Sequence, residues 1–253
     1  FDKNMPEEIN RIVADGCSTL YFVPTEETAI NLQNEGINHN SIYVTGNSVV
    51  DACKRNLKIA LETSKIKEEI NSDEYIALTL HRAENVDDEE RLRHIVHSLI
   101  NLPYNFVFPV HPHTRKSLEN LGLYDEIDNC DHIQITKPLG YLDFLYLLSQ
   151  SQLTLTDSGG VQEEAITLDI PCVTLRYNTE RPETITAGGN ILAGTESEEI
   201  MKNISDILDN KDVYHKMSRA KNPYGDGTTA KQICSIIKER YDEDNLKIRR
   251  ADE

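Results

Sequence analysis

Thr156-Asp157-Ser158-Gly159-Gly160-Val161-Gln162-Glu163-Glu164 is the stretch from which the fold of this chain can be read. An apolar run, Leu153–Thr156, passes through Ser-Gly-Gly directly into a helical pattern, Val161–Leu168. A strand that feeds a helix across so short a turn is half of a βαβ unit. Working outward, further strand-like runs stand at Tyr75–Leu80, Phe106–Val110, His132–Ile135 and Cys172–Leu175. Helix-like segments separate them: Asp87–Asn101, Thr114–Leu121 and Tyr141–Ser149. Short apolar strands alternating with helices predict an α/β protein built on a doubly wound parallel sheet.

Before that rhythm begins, the pattern is sparser. Pro6–Gly16 reads as a helix, with Pro6 in its first turn and Glu7 and Glu8 complementing its positive end. Leu20–Val23 and Ile42–Thr45 read as strands, the second closed by Gly46-Asn47. Thr25 caps an acidic helix start between them. A long amphipathic helix follows, Val49–Ile66, and two more close the chain near residues 197–210 and 228–242. Phe1-Asp2-Lys3-Asn4-Met5-Pro6 does not resemble a translation start. Two strands and two helices are too few for a closed α/β layer. Residues 1–48 are therefore expected to be the remnant of an amino-terminal domain, and 49–73 a linker helix. Residues 74–220 then form one complete Rossmann-like nucleotide-binding domain, and 221–253 a helix returning towards the amino-terminal domain.

Composition narrows the function. The 253 residues carry 26 Lys+Arg against 43 Asp+Glu, a net charge of −17. So acidic a chain lacks the basic face that binding nucleic acid requires, although local cations can still hold one small anion. No apolar run approaches the ~18–20 residues of a membrane span. The five cysteines (Cys17, Cys53, Cys130, Cys172 and Cys234) have no CxxC spacing. They read as reduced thiols of a cytoplasmic protein, and no metal site is expected.

In an open parallel sheet, ligands bind outside the carboxyl ends of the strands. Each of the five later strands ends in a polar segment, among them His81-Arg82-Ala83-Glu84-Asn85 and His111-Pro112-His113. After the strand at 153–156, Gly159 and Gly160 allow close backbone approach to a helix start whose free N–H groups suit a pyrophosphate. One turn further, Glu164 can accept hydrogen bonds from a ribose diol. The alternative is a tight turn with Ser158 as N-cap. His81 is placed to act as acid, base or phosphate donor, or as an ordinary loop histidine. Asn178-Thr179-Glu180-Arg181-Pro182-Glu183 is either a surface ion-pair cluster or a wall of a sugar pocket. Glu7 and Glu8 are helix-start acids by physics alone.

These motifs together resemble the non-hydrolysing UDP-N-acetylglucosamine 2-epimerase family, of GT-B fold. The stretches that carry the resemblance are Met5–Arg11, Phe22–Thr25, Val44–Asn47, His81–Asn85, Pro109–His111, Thr156–Glu164, Thr179–Glu183 and Asn222–Gly227, in family order. The resemblance begins partway through the family pattern. It implies anti elimination of UDP from UDP-N-acetylglucosamine to a glycal, then re-addition giving UDP-N-acetylmannosamine, with no cofactor. It also implies site roles. Glu7 matches the acid of the P-E-E motif, and His81 the functional histidine near the diphosphate. Ser158, Gly159 and Gly160 match the diphosphate cradle, Glu164 the ribose-binding glutamate, and Arg181 a nucleotide- or sugar-placing loop. His111 matches a histidine linked to an activating second UDP-sugar. A homodimer is expected. Leu80 stands where many bacterial members have glycine, which makes the loop more similar to archaeal members. Two other readings remain open: a GT-B glycosyltransferase, and a non-catalytic nucleotide-binding fragment.

Overall fold

The computed structural model describes residues 6–242, with Pro6 and Glu7 described by backbone alone. The chain divides into two compact units: Phe1–Asp51 with Pro223–Glu253, and Ala52–Asn222. The boundary falls inside a helix.

The first unit opens with α1 (Pro6–Cys17), followed by β1 (Tyr21–Val23), α2 (Glu26–Asn34) and β2 (Ile42–Val44). The Thr25 hydroxyl accepts the Thr28 N–H and so caps α2, as the sequence predicts. β1 and β2 pair in parallel, Tyr21 opposite Ile42. Gly46 then turns the chain at φ +86°, into α3 (Ser48–Thr63). A Cβ at Gly46 would sit 2.5 Å from the Tyr224 carbonyl oxygen, and the neighbouring Asn47 N–H donates to that same oxygen. Asp51 accepts the N–H groups of Thr229 and Ala230, which caps the final helix of this unit.

The second unit is built on six parallel strands: β3 (Ile76–Thr79), β4 (Phe106–Pro109), β5 (Ile133–Thr136), β6 (Leu153–Thr156), β7 (Cys172–Thr174) and β8 (Asn190–Leu192). Their spatial order is β5-β4-β3-β6-β7-β8. Central strands covered by helices on both faces must be apolar throughout. Ile76, Leu78, Leu153 and Leu155 are accordingly fully buried. The crossovers contain α4 (Ala83–Val86), α5 (Glu89–Asn101), α6 (Pro112–Asn120), α7 (Leu123–Asp128), α8 (Tyr141–Gln150), α9 (Gly159–Thr167) and α10 (Pro182–Thr186). After β8 come α11 (Ser197–Leu208) and α12 (Lys211–Ser218), and α13 (Thr229–Asp242) belongs to the first unit.

The expected strands and long helices are present, with shifted ends. The segment expected as one helix, 87–101, starts at Glu89, because Asp88 caps that end through the Arg91 N–H. The expected helix at 114–121 starts two residues earlier, at Pro112. Five of the labelled elements went unread: α4, α7, β8, α10 and α12. Each has eight residues or fewer, too short for a hydrophobic period to show.

Candidate functional site

The strand order supplies the location. Counted along the chain, the sheet runs 3-2-1-4-5-6, so the topology reverses between β3 and β6. Ligands of doubly wound folds sit in the crevice at that reversal, beyond the carboxyl ends. Here β3 leads into His81 and β6 into Asp157-Ser158-Gly159-Gly160. The two strands are tied at this end by the Thr79 and Thr156 hydroxyls, 2.6 Å apart.

Asp157 organises the crevice. Its side chain is fully buried, and it accepts the main-chain N–H groups of His81 at 3.0 Å and Arg82 at 2.8 Å. The Asn85 amide donates to the same carboxylate at 3.4 Å, and His81 Nδ1 lies 3.3 Å from Oδ1. The sequence reading quoted Asp157 but gave it no role. The signal was a lone charge placed between a buried strand and a glycine pair, since an acid there must find donors.

Ser158 stands at the N-cap position of α9, yet its side chain makes no capping bond. The first turn therefore keeps its donors and the positive end of its dipole for a ligand. Gly159 is packed: a Cβ there would meet Glu180 Oε2 at 3.4 Å and Arg181 Cγ at 3.8 Å. Gly160 is exposed, with the Ser158 Oγ 4.0 Å from its hypothetical Cβ.

One turn inside α9, Glu163 and Glu164 face different surroundings. Glu163 is buried and pairs with Arg181 Nε, while Arg181 Nη1 donates to the Glu180 carbonyl. Arg181 thus lies beside Gly159, held by Glu163, an acid to which the sequence alone gives no role. Burial pushes the Glu164 carboxyl above its ordinary range, and a hydrogen bond from the Tyr141 hydroxyl pulls it part of the way back. Arg176 was also missed. Its guanidinium, 8% exposed, donates to Glu84 at 2.7 Å, to Glu180 at 2.8 Å and to Asn178 at 3.3 Å. That clasp joins the loop after β3 to the loop after β7, and Arg176 holds the Glu180 carboxyl below its usual range.

His111 caps α6, its Nδ1 accepting the His113 N–H at 3.2 Å. Its ring centroid is 6.4 Å from that of His81. Both rings edge a cavity of about 290 Å³ whose wall includes Pro138, Leu139, Phe144 and Val161. An apolar slot beside an uncapped helix start has the shape and polarity to take a planar base joined to phosphate. In the first unit, Arg11 is bonded to Glu8 at 2.8 and 3.0 Å, to Asp15 at 2.7 Å and to Glu35 at 2.9 and 3.0 Å. Arg11 therefore holds the Glu8 carboxyl below its ordinary range. The Glu7 side chain, expected to be catalytic, lies outside the described residues. Among the described residues, no cluster of His, Cys, Asp and Glu is arranged to hold a metal ion, and no helix is long and apolar enough to cross a membrane.

The family model for UDP-N-acetylglucosamine 2-epimerase matches residues 1–238. The chain belongs to the UDP-N-acetylglucosamine 2-epimerase family. A relative of that name from Methanocaldococcus jannaschii is 45% identical over 245 residues, covering 94% of this chain. One from Bacillus subtilis strain 168 is 36% identical over 243 residues, covering 93% of this chain. The chain spans 65% of the archaeal relative's length and 62% of the bacterial one's. A crystal structure of the M. jannaschii UDP-GlcNAc 2-epimerase in complex with UDP-GlcNAc and UDP superposes with a TM-score of 0.81 at 45% identity, covering 94% of this chain and 66% of that one. The fold is the GT-B-type α/β fold of these epimerases.

Proposed function

We propose that this chain carries the UDP-binding part of a UDP-N-acetylglucosamine 2-epimerase, an isomerase interconverting UDP-GlcNAc and UDP-ManNAc. The observation that carries the reading is the uncapped, glycine-opened tip of α9 beside His81 at the topological reversal of the sheet. In the reaction, the C2 proton is removed and the C1–O bond to UDP breaks. The glycal then takes a proton at C2 on the opposite face, and the UDP oxygen attacks C1, which restores the C1–O bond with C2 inverted. The leaving diphosphate gains charge as that bond breaks. The fixed N–H donors of Gly159 and Gly160, with the uncommitted hydroxyl of Ser158, meet that charge without reorganising. Glu164 takes the ribose hydroxyls, Arg181 steadies the loop over the glycines, and His81 faces the diphosphate. Glu7 belongs to the proton-transfer network. A base acting at C2 must come within ~2.6–3.2 Å of its proton in the reactive pose.

The same reading makes the substrate a UDP-sugar and the assembly a homodimer working in the cytoplasm without a cofactor. It gives His111 the second, activating UDP-sugar. The test is to titrate the chain with UDP by calorimetry, then incubate it with UDP-GlcNAc and no acceptor. Formation of the manno isomer supports the epimerase. Slow hydrolysis alone points to a glycosyltransferase, and UDP binding without any turnover to a binding fragment. No heat at millimolar UDP removes the nucleotide site itself.

A further inference from the structure

Asp157 is the buried titratable group for which the proposed chemistry has no use. A carboxylate withdrawn from water persists only where donors replace its solvent. Three N–H groups do so, from His81 and Arg82 in the loop that follows β3 and from the Asn85 side chain in α4. The remaining capacity of Oδ1 faces His81 Nδ1 at 3.3 Å. An ionised carboxylate only accepts, so the ring nitrogen turned towards it is the one that carries hydrogen. Nε2 is then the ring nitrogen left for a ligand, and the His81 side chain as a whole is 42% exposed. Meanwhile the main chain of Asp157 runs on into Ser158-Gly159, the entry to α9. One residue thus binds the histidine loop through its side chain and starts the anion cradle through its backbone.

We propose that Asp157 is the positioning residue for His81, fixing Nδ1 inward and presenting Nε2 to the diphosphate held by the α9 tip. This rests on the nucleotide reading above and assigns within it a residue that does not touch the ligand. The neutral ring is held as the Nδ1–H tautomer, so proton exchange and hydrogen bonding with the ligand pass through Nε2 alone. A histidine without that partner would divide its time between tautomers and ring flips, and the ligand would meet the correct one only part of the time.

The test combines histidine ring 15N spectra with UDP calorimetry on the 253-residue chain. The wild type is compared with Asp157→Asn, His81→Gln and the double variant. The wild-type spectrum should show His81 protonated at Nδ1, with the Nε2 resonance moving when UDP is added. In Asp157→Asn the ring signature changes, and UDP binds roughly tenfold to a hundredfold more weakly, the usual cost of losing an orienting partner. In the His81→Gln background the same substitution costs little, because the two act as one unit. The proposal is overturned if Asp157→Asn weakens UDP equally in both backgrounds, or if His81 is protonated at Nε2 in the wild type. Should Asp157→Asn fail to fold, the wild-type ring spectrum decides alone. If the wild type binds no UDP, the nucleotide reading falls, while the Nδ1 signature still reports on the Asp157–His81 contact.

Discussion

Glu163 and Glu164 are adjacent on α9, about 100° apart around the helix axis, and that rotation separates their physics. Glu163 turns to Arg181 and is neutralised there. Glu164 is half-buried with the Tyr141 hydroxyl for company, and its carboxyl is raised mainly by desolvation. A carboxyl raised in the folded state costs nothing below its unfolded pKa of ~4.3, where both states are protonated. As pH rises through the folded pKa, the folded state loses stability relative to the unfolded one. Glu164→Gln, which copies the protonated form, should therefore melt a few degrees higher at neutral pH. The gain should vanish in melts run below pH ~4. The same variant should bind UDP more weakly, since an amide is a poorer acceptor for a ribose diol. Arg176 makes the converse case. Its removal takes the guanidinium from Glu84 and leaves Glu180 only the 3.7 Å contact with Arg82, but those acids are 45% and 42% exposed and water can reach them. Arg176→Ala should then cost about 1–3 kcal/mol by denaturant titration, below the ~3–5 of a fully buried pair.

Among the elements, α9 joins stability and binding through two glycines that are not equivalent. Gly160 is exposed, and a Cβ there meets little of the protein. Gly160→Ala should leave the melting temperature unchanged or raise stability by up to about 1 kcal/mol, from helix propensity alone. It should also weaken UDP binding by about tenfold or more, near 1.4 kcal/mol, because the methyl group stands where the diphosphate approaches. Gly46 behaves oppositely. With φ +86° and the Tyr224 carbonyl 2.5 Å from any Cβ, Gly46→Ala should cost about 1–3 kcal/mol by thermal melting. The sheet strands were legible in sequence because strands buried on both faces leave unbroken apolar runs, as at Ile76-Ala77-Leu78 and Phe106-Val107-Phe108. Helix starts were less legible, since Asp88 and His111 each cap a helix and so fix where it begins. At the site, the residues with recognisable spacing (His81, Ser158–Gly160 and Glu164) could be picked out beforehand. Asp157, Arg176 and Glu163 could not. Asp157 finds donors 75 and 76 positions away, Arg176 finds Glu84 92 positions away and Glu163 finds Arg181 18 positions away, and only the closed sheet brings them together.

At the scale of the whole molecule, ligand binding and folding stability are linked. A nucleotide that binds only the folded form adds about 2.7 kcal/mol when present at 100 times its Kd. Calorimetric melting with increasing UDP should therefore show a rising transition. Hydrogen exchange should slow most in residues 81–85, 157–164 and 178–183. Protection confined to residues outside 52–222 would contradict the site. The two units also differ in how the chain composes them. The second is one continuous stretch, whereas the first joins residues 1–51 to 223–253, with Gly46 and Asn47 against Tyr224 and Asp51 at the start of α13. Because residues 223–242 follow the six-stranded unit along the chain, residues 6–51 gain their contacts with them only after that whole unit has been made, and the unit can mature in the interval.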